Sequence, residues 1–309
     1  MFLEKEEIYY TSADNKTKVY AVFFIPDKPK MLLQIAHGMV EHINRYEDFA
    51  KFLNENGIVV FGNDHLGHGN TAKSEEDYGY FCDENGDKNI VDDMYLLTKI
   101  AKDKYPNLPF FFLGHSMGSF LLRNYLCKYA SELDGAIIMG TGDESHISLK
   151  GGLRFIKKLS RRKGWHYRSR VVDMLAFGSF NRDFGDKKGK EWLSRDIEQV
   201  EKYINDPKCN FIFTLNAYYN LLKIMYFIGE NKNLKNMPKD LPIFIVAGDN
   251  DPVGDNGKKI IHLYQKYKNL GMENVEYKLY KEYRHEILNE LDREIVYNDI
   301  LNWLLNIVK

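Results

Sequence analysis

Short apolar runs alternate with amphipathic stretches through the first part of the chain. Lys18 to Phe24 and Met31 to Ala36 have the length and apolar content of strands, while Tyr46 to Asn56 places Phe49, Phe52 and Leu53 on one face of a helix. Ile58 to Phe61, after Gly57, reads as a buried strand. Ile90 to Lys104 has helical spacing, Phe110 to Leu113 follows Pro109 as a strand, Phe120 to Tyr129 continues a helix begun near Ser116, and Ala136 to Met139 is a further strand. Strands alternating with helices predict a mostly parallel sheet covered on both faces, an α/β architecture.

The alternation stops after Gly140. From about Asp143 to Lys239 the chain is rich in aromatic and charged residues without a comparable succession of short buried strands, which predicts a mainly helical insertion. Leu241 to Ala247 restores strand character, Lys258 to Tyr267 reads as a helix, Val275 to Tyr280 as a strand and Ile295 to Ile307 as a closing helix. The expected organisation is a sheet domain assembled from residues 1–142 and 240–309, interrupted by a helical cap over 143–239.

With 309 residues and 44% hydrophobic content, the chain can bury one large core, which excludes a disordered or fibrous protein. The 43 basic and 44 acidic side chains leave a net charge of -1, so no global field attracts nucleic acid, and the local basic cluster lacks a recognised binding framework. Cys82, Cys127 and Cys209 are far apart and form no CxxC pair, so neither a disulfide scaffold nor a four-cysteine zinc site is expected. Glu4, Lys5, Glu6 and Glu7 stand where a secretory apolar segment would run, and a cytoplasmic location is expected.

The strongest local signal is FFLGHSMGSF, Phe111 to Phe120. An apolar strand runs through Gly114, Ser116 and Gly118 into a helix, the context a nucleophile elbow requires. Serine is a poor nucleophile until a base takes its proton. His285, beyond the strand ending at Tyr280, is the expected base, and Asp251, in AGDNDPVGD, is the expected acid that orients it; their order after Ser116 fits this kind of sheet. Asp249, Asp255 and Glu286 are rivals for the acid. Negative charge developing on an acyl oxygen needs backbone donors. Met39, after the His37-Gly38 pair leaving a strand, and Met117, after the nucleophile, are the expected oxyanion donors.

Other features lead to plainer readings. Asp249, Asp251 and Asp255 mimic a calcium loop, but Ile260 occupies the position where a bidentate glutamate is needed, so no metal is expected. His65 and His68 in NDHLGHGNT lack a convincing third ligand and read as a polar turn beside the active-site strands. His115 is expected to support by a hydrogen bond rather than to transfer a proton.

Taken in order, HGMVEHINRY, NDHLGHGNT, GHSMGS, WLSRD, GDNDPVGD and YRHE resemble the α/β-hydrolase superfamily, and within it the monoacylglycerol lipase and lysophospholipase branch grouped with serine aminopeptidase-like hydrolases. The resemblance covers nearly the whole chain and is weakest from about Asp143 to Lys188. It implies a mostly parallel eight-stranded sheet, a helical cap over the pocket, and hydrolysis of lipid-like carboxylic esters through an acyl-enzyme on Ser116, with Asp251 and His285 completing the triad and Met39 and Met117 at the oxyanion positions. No cofactor is implied. A serine peptidase or aminopeptidase, an acyltransferase, and a catalytically silent binding module on the same fold are the alternatives.

The cap adds two clues about partners. Arg154 to Arg170 carries eight basic residues and no acidic one, interleaved with Leu153, Phe155, Ile156, Leu159 and Trp165. A solvated helix face explains this pattern, and transient contact with an anionic membrane surface is the alternative. The stretch from Phe211 to Phe227 is aromatic and apolar, fit either for the cap's own core or for lining an acyl channel, where each buried CH₂ contributes roughly 0.8 kcal/mol. Oligomeric state is not legible.

Overall fold

A computed structural model describes residues 4–185 and 189–308; residues 1–3 and 309 of the expected core and 186–188 of the expected cap lie outside the described residues. Eight strands form one sheet: β1 (Glu4–Thr11), β2 (Lys18–Ile25), β3 (Met31–Ala36), β4 (Ile58–Asn63), β5 (Phe110–His115), β6 (Gly135–Met139), β7 (Ile243–Gly248) and β8 (Val275–Tyr280). Their spatial order is β1-β2-β4-β3-β5-β6-β7-β8. The β1/β2 and β2/β4 pairs are antiparallel, and every other pair is parallel.

The central strands are apolar throughout because both faces are covered. In β5, Phe110 and Phe112 enter one core while Phe111 and Leu113 enter the other; in β6, Ala136 and Ile138 oppose Ile137 and Met139 in the same way. The first core receives α2 (Gly86–Lys104) and α3 (Met117–Tyr129). The second receives α1 (Glu47–Asn54) and the closing helix, Arg293–Ile307. Strand β1 was not expected from the sequence. Its charged run lies at the sheet edge, where one face meets water and only Tyr10 is buried, so burial there leaves no apolar run.

Between β6 and β7 the described chain runs through α4 (His146–Lys163), α5 (Arg170–Phe177), α6 (Ile197–Asn205), α7 (Leu215–Gly229) and α8 (Asn231–Leu234), before α9 (Lys258–Asn269) and α10 (Arg293–Ile307) complete the order. Arg123 of α3 anchors the start of this excursion. Its fully buried guanidinium donates to the Gly142 carbonyl at 2.7 Å and to Asp143 at 3.1 Å. Among the described residues no helix is long and apolar enough to cross a membrane, and all three cysteines are free.

Helix α3 approaches β3 so closely that a Cβ on Gly118 would collide with the Ala36 carbonyl oxygen. Gly118→Ala is therefore expected to lose about 1–3 kcal/mol through forced displacement of helix from strand, measured by urea denaturation. Unchanged stability would show that the helix can shift freely.

Candidate active site

Ser116 is the single residue between β5 and α3, with φ 52° and ψ −119°. A positive φ is strained for a residue with a Cβ and persists only where the surroundings enforce it. Here the Ser116 N–H donates to the Met139 carbonyl at 3.0 Å, and the Ser119 hydroxyl donates to the Ser116 carbonyl at 2.6 Å. As the first helical residue, Met117 has an N–H with no intrahelical acceptor. On the other side, a Cβ on Gly38 would lie 3.2 Å from Ser116 Cβ, so only glycine lets the loop after β3 pass this close. The two expected oxyanion residues thus adjoin Ser116, Met117 along the chain and Met39 through the Gly38 contact.

Asp251 lies in the loop after β7 and His285 in the loop after β8, and the structure brings them together. His285 Nδ1–H donates to the Asp251 carboxylate at 2.9 and 3.0 Å, with the two residues 2% and 0% exposed. A carboxylate only accepts, so this contact assigns the proton to Nδ1 and leaves Nε2 as the acceptor nitrogen. The Trp192 ring covers the imidazole at 4.9 Å, and the Trp192 carbonyl accepts the His285 N–H at 3.3 Å. Gly140 directly follows Met139, the partner of Ser116, and a Cβ there would lie 3.2 Å from His285 Cε1. His285 and Ser116 therefore stand beside one another and line one cavity of about 850 Å³. Among the described residues no hydrogen bond joins the Ser116 hydroxyl to the imidazole; such bonds commonly tighten only around the reacting group. A serine beside an imidazole with a free Nε2 and a buried carboxylate behind it can carry out general-base-assisted acyl transfer.

Beneath the cavity lies a buried network that sequence reasoning missed. Arg45 donates to Glu41 at 2.7 Å and, through both terminal nitrogens, to Glu286 at 2.7 and 2.8 Å. Glu41 also accepts from the Gly38 N–H at 2.5 Å, from the Tyr46 hydroxyl at 3.0 Å and from His115 Nδ1 at 3.2 Å. His115 Nε2 reaches the His285 carbonyl at 3.3 Å. Glu41 and the His285 carbonyl can each accept from His115, whose Nδ1 also lies 3.2 Å from the Tyr46 hydroxyl. Burial opposes the charged form of His115, but Glu41 outweighs burial and raises its pKa. Burial likewise opposes the Glu41 and Glu286 charges, and Arg45 is the main influence holding both pKa values below the ordinary range, Glu41 well below it. Two carboxylates, one guanidinium and one imidazole make up this quartet. The signal was present in HGMVEHINRY, where Glu41 and Arg45 stand four apart, but their partners lie far along the chain.

The rival acids are engaged elsewhere. Glu286 belongs to Arg45, Asp249 accepts the Glu282 N–H at 2.6 Å, and Asp255 faces Lys258 at 3.6 Å. His37, His65 and His68 are fully buried and cluster with ring centroids 4.2 to 6.3 Å apart. Burial lowers all three pKa values, that of His68 to about 3, so they pack as neutral rings. Among the described residues, one group could present three ligand atoms to a metal: His42 Nε2, Asp206 Oδ2 and Cys209 Sγ, all within 4.8 Å of one another. The 2.8 Å contact of His42 with Asp206 accounts for two of them without an ion.

A family model described as serine aminopeptidase, S33 (Hydrolase_4) matches residues 27–292. The chain is similar to a monoacylglycerol lipase of Mycolicibacterium smegmatis, at 25% identity over 93% of this chain and 92% of that one. It is similar to a monoglyceride lipase homolog of Monkeypox virus at 27% identity over 94% and 95% of the two chains. A crystal structure of a thermostable carboxyl esterase from Bacillus coagulans in complex with glycerol superposes with TM-score 0.92 and 30% identity, covering 100% of both chains.

The quartet sets a pH window. His115, with a raised folded pKa, stabilises below its unfolded value of about 6.5, and that contribution is lost as pH rises through the folded pKa. Glu41 and Glu286, with depressed folded values, stabilise above about 4.3 and lose that contribution as pH falls through the folded pKa values. Thermal unfolding across pH should peak between the two limbs, and His115→Gln should flatten the alkaline one; an unchanged alkaline limb would contradict the charge assignment. Arg45→Met removes the cation that holds Glu286 and weakens the hold on Glu41, and should cost about 3–5 kcal/mol in urea denaturation.

Proposed function

The chain belongs to the serine aminopeptidase S33 family of α/β-hydrolases, in the monoglyceride lipase branch, and is a carboxylic ester hydrolase; from this we propose that it cleaves lipid-like acyl esters, monoacylglycerols or lysophospholipids, through an acyl-enzyme on Ser116. The observation that carries the reading is the opening of the strained Ser116 and the Asp251-oriented His285 on one cavity.

In this mechanism Ser116 Oγ bonds to the acyl carbon while its proton passes to His285 Nε2. The backbone N–H groups of Met39 and Met117 receive the developing oxyanion, and Asp251 holds the imidazolium. The C–O bond to the alcohol then breaks and His285 protonates the leaving oxygen. Water, deprotonated by the same nitrogen, attacks the acyl-enzyme and releases the carboxylic acid. Residues 143–239 act as the cap, with Phe177, Trp192 and Phe211 among its apolar contributions to the cavity wall. Peptidase activity would need a subsite that recognises a free amine, and acyltransferase activity would need an alcohol that reaches the acyl-enzyme before water.

We also propose peripheral contact between the cap and an anionic lipid surface. Ile147 in α4 and Met174 and Leu175 in α5 are 85%, 62% and 71% exposed, and the intervening chain carries the acid-free basic run from Arg154 to Arg170.

Ser116→Ala should abolish ester turnover, leaving less than about one part in a thousand, and a fluorophosphonate probe should label the wild type at Ser116 alone. Substantial turnover by the purified variant would reject the nucleophile. Comparing monoacylglycerols, lysophospholipids and aminoacyl amides separates lipase from peptidase. Sedimentation with vesicles should give more binding to anionic than to zwitterionic lipid, and a loss on replacing Ile147 and Leu175 by Ser; equal binding to both vesicle types would remove the electrostatic part of the surface proposal.

A further inference from the structure

One cation in the cavity wall has no use in the mechanism above. Lys190 lies just before Trp192, the residue that covers His285, and its side chain lines the same cavity as Ser116 and His285. The Lys190 ammonium stands 5.8 Å from the centroid of the Tyr203 ring, which also holds the Arg45 guanidinium at 4.8 Å.

Its charge is not neutralised locally. The carboxylates whose fields reach it are Asp173 and Glu286. Asp173 accepts the Tyr218 hydroxyl at 2.7 Å, and Glu286 is held by both terminal nitrogens of Arg45. Among the described residues neither comes within ion-pairing distance of Lys190, and its ammonium has no hydrogen-bond acceptor. Burial pushes its pKa below the ordinary lysine value. A partly buried ammonium with no partner among the described residues is better stabilised when an anion enters the cavity.

Position decides which half of the substrate meets it. His285 protonates the leaving alcohol, so that alcohol must lie on the imidazole side of Ser116. Trp192 covers the imidazole there, and Lys190 lines the same cavity within reach of the field of Glu286, the residue after His285. At the cavity mouth the cations Lys73 and Arg168 are offset in part by Glu75, and Arg168 is occupied by the carbonyls of Glu75, Glu76 and Tyr78.

Building on the ester hydrolysis proposed above, we infer that Lys190 is a specificity-determining residue that receives an anionic group on the alcohol half, making the preferred substrates acyl esters of phosphorylated or carboxylated alcohols. A lysine ammonium binds either anion as a point charge.

The test uses butyryl esters of glycerol, glycerol 3-phosphate and glyceric acid, short enough to stay monomeric, with wild type, Lys190→Met and Lys190→Arg. Wild type should favour one or both anionic esters in kcat/KM, the phosphate and glycerate arms showing which anion is preferred. Lys190→Met should lower the anionic-to-neutral ratio about 10- to 100-fold, as expected for a lost hydrogen bond to a charged group, and Lys190→Arg should retain most of it. No anionic preference in the wild type, or equal loss for neutral and anionic esters in Lys190→Met, overturns the inference. Calorimetric binding of glycerol 3-phosphate and of glycerate, each against glycerol, is read independently of turnover. Lys190-dependent anion binding without hydrolysis of any ester would sink the hydrolase reading and keep the anion site; hydrolysis without Lys190-dependent discrimination would do the reverse.

Discussion

The guanidinium of Arg45, clamped between Glu41 and Glu286 with its side chain 11% exposed, is the constraint on which the geometry of the site depends. It joins the loop after β3 to the loop after β8, two segments separated by most of the chain. Glu41 fixes the turn that carries Met39 through the Gly38 N–H, and His115 extends the network to the backbone of His285. A buried ion pair is weak evidence of net stability, because desolvation opposes the Coulombic gain. What this quartet supplies is position. Four mutually bonded groups favour one arrangement, and that arrangement fixes the loop after β3, the residue before Ser116 and the loop that carries His285.

Backbone strain works with the charge network. Ser116 keeps its positive φ because the Met139 carbonyl and Ser119 grip the turn, and the glycines at 38 and 118 let strand, loop and helix approach to contact distance. The strain lifts the hydroxyl to the carboxyl edge of the sheet, where the helices between β6 and β7 close the cavity. Arg123, buried at the exit of β6, ties the start of that excursion to the core through Gly142 and Asp143.

The chain pattern carried the sheet well. Met31 to Ala36 was legible end to end, because a parallel strand buried on both faces reads as a nearly unbroken apolar run, whereas Val275 to Tyr280, at the sheet edge, was legible from its β-prone ends. The edge strand β1 was hidden by its own charges. At the site, Ser116, Asp251 and His285 were readable as elements of a motif order, and the structure brings the last two into contact and the first beside them. Glu41, Arg45 and Glu286 could not be assigned, since the roles of charged residues follow from partners that only tertiary folding supplies. Lys190 is a sharper case. A lysine in a charged, glycine-rich stretch looks like solvent-exposed chain, and its meaning comes from what is missing around its ammonium.

These arrangements divide the cavity by chemistry. Tyr203 carries both Arg45, which is paired, and Lys190, which has no carboxylate partner among the described residues, while Phe177 and Phe211 add apolar wall to the same cavity. An acyl chain gains most from leaving water, at roughly 25 cal/mol per Å² of apolar surface, and gains nothing from a lysine. The alcohol half has the opposite needs. In the proposed reaction a substrate with both parts would be oriented before any bond changes, its carbonyl brought to Ser116 by the mismatch of either end for the other's subsite. Such orientation lowers the entropic part of the barrier, and a purely apolar cavity of the same size would leave the ester free to bind in reverse.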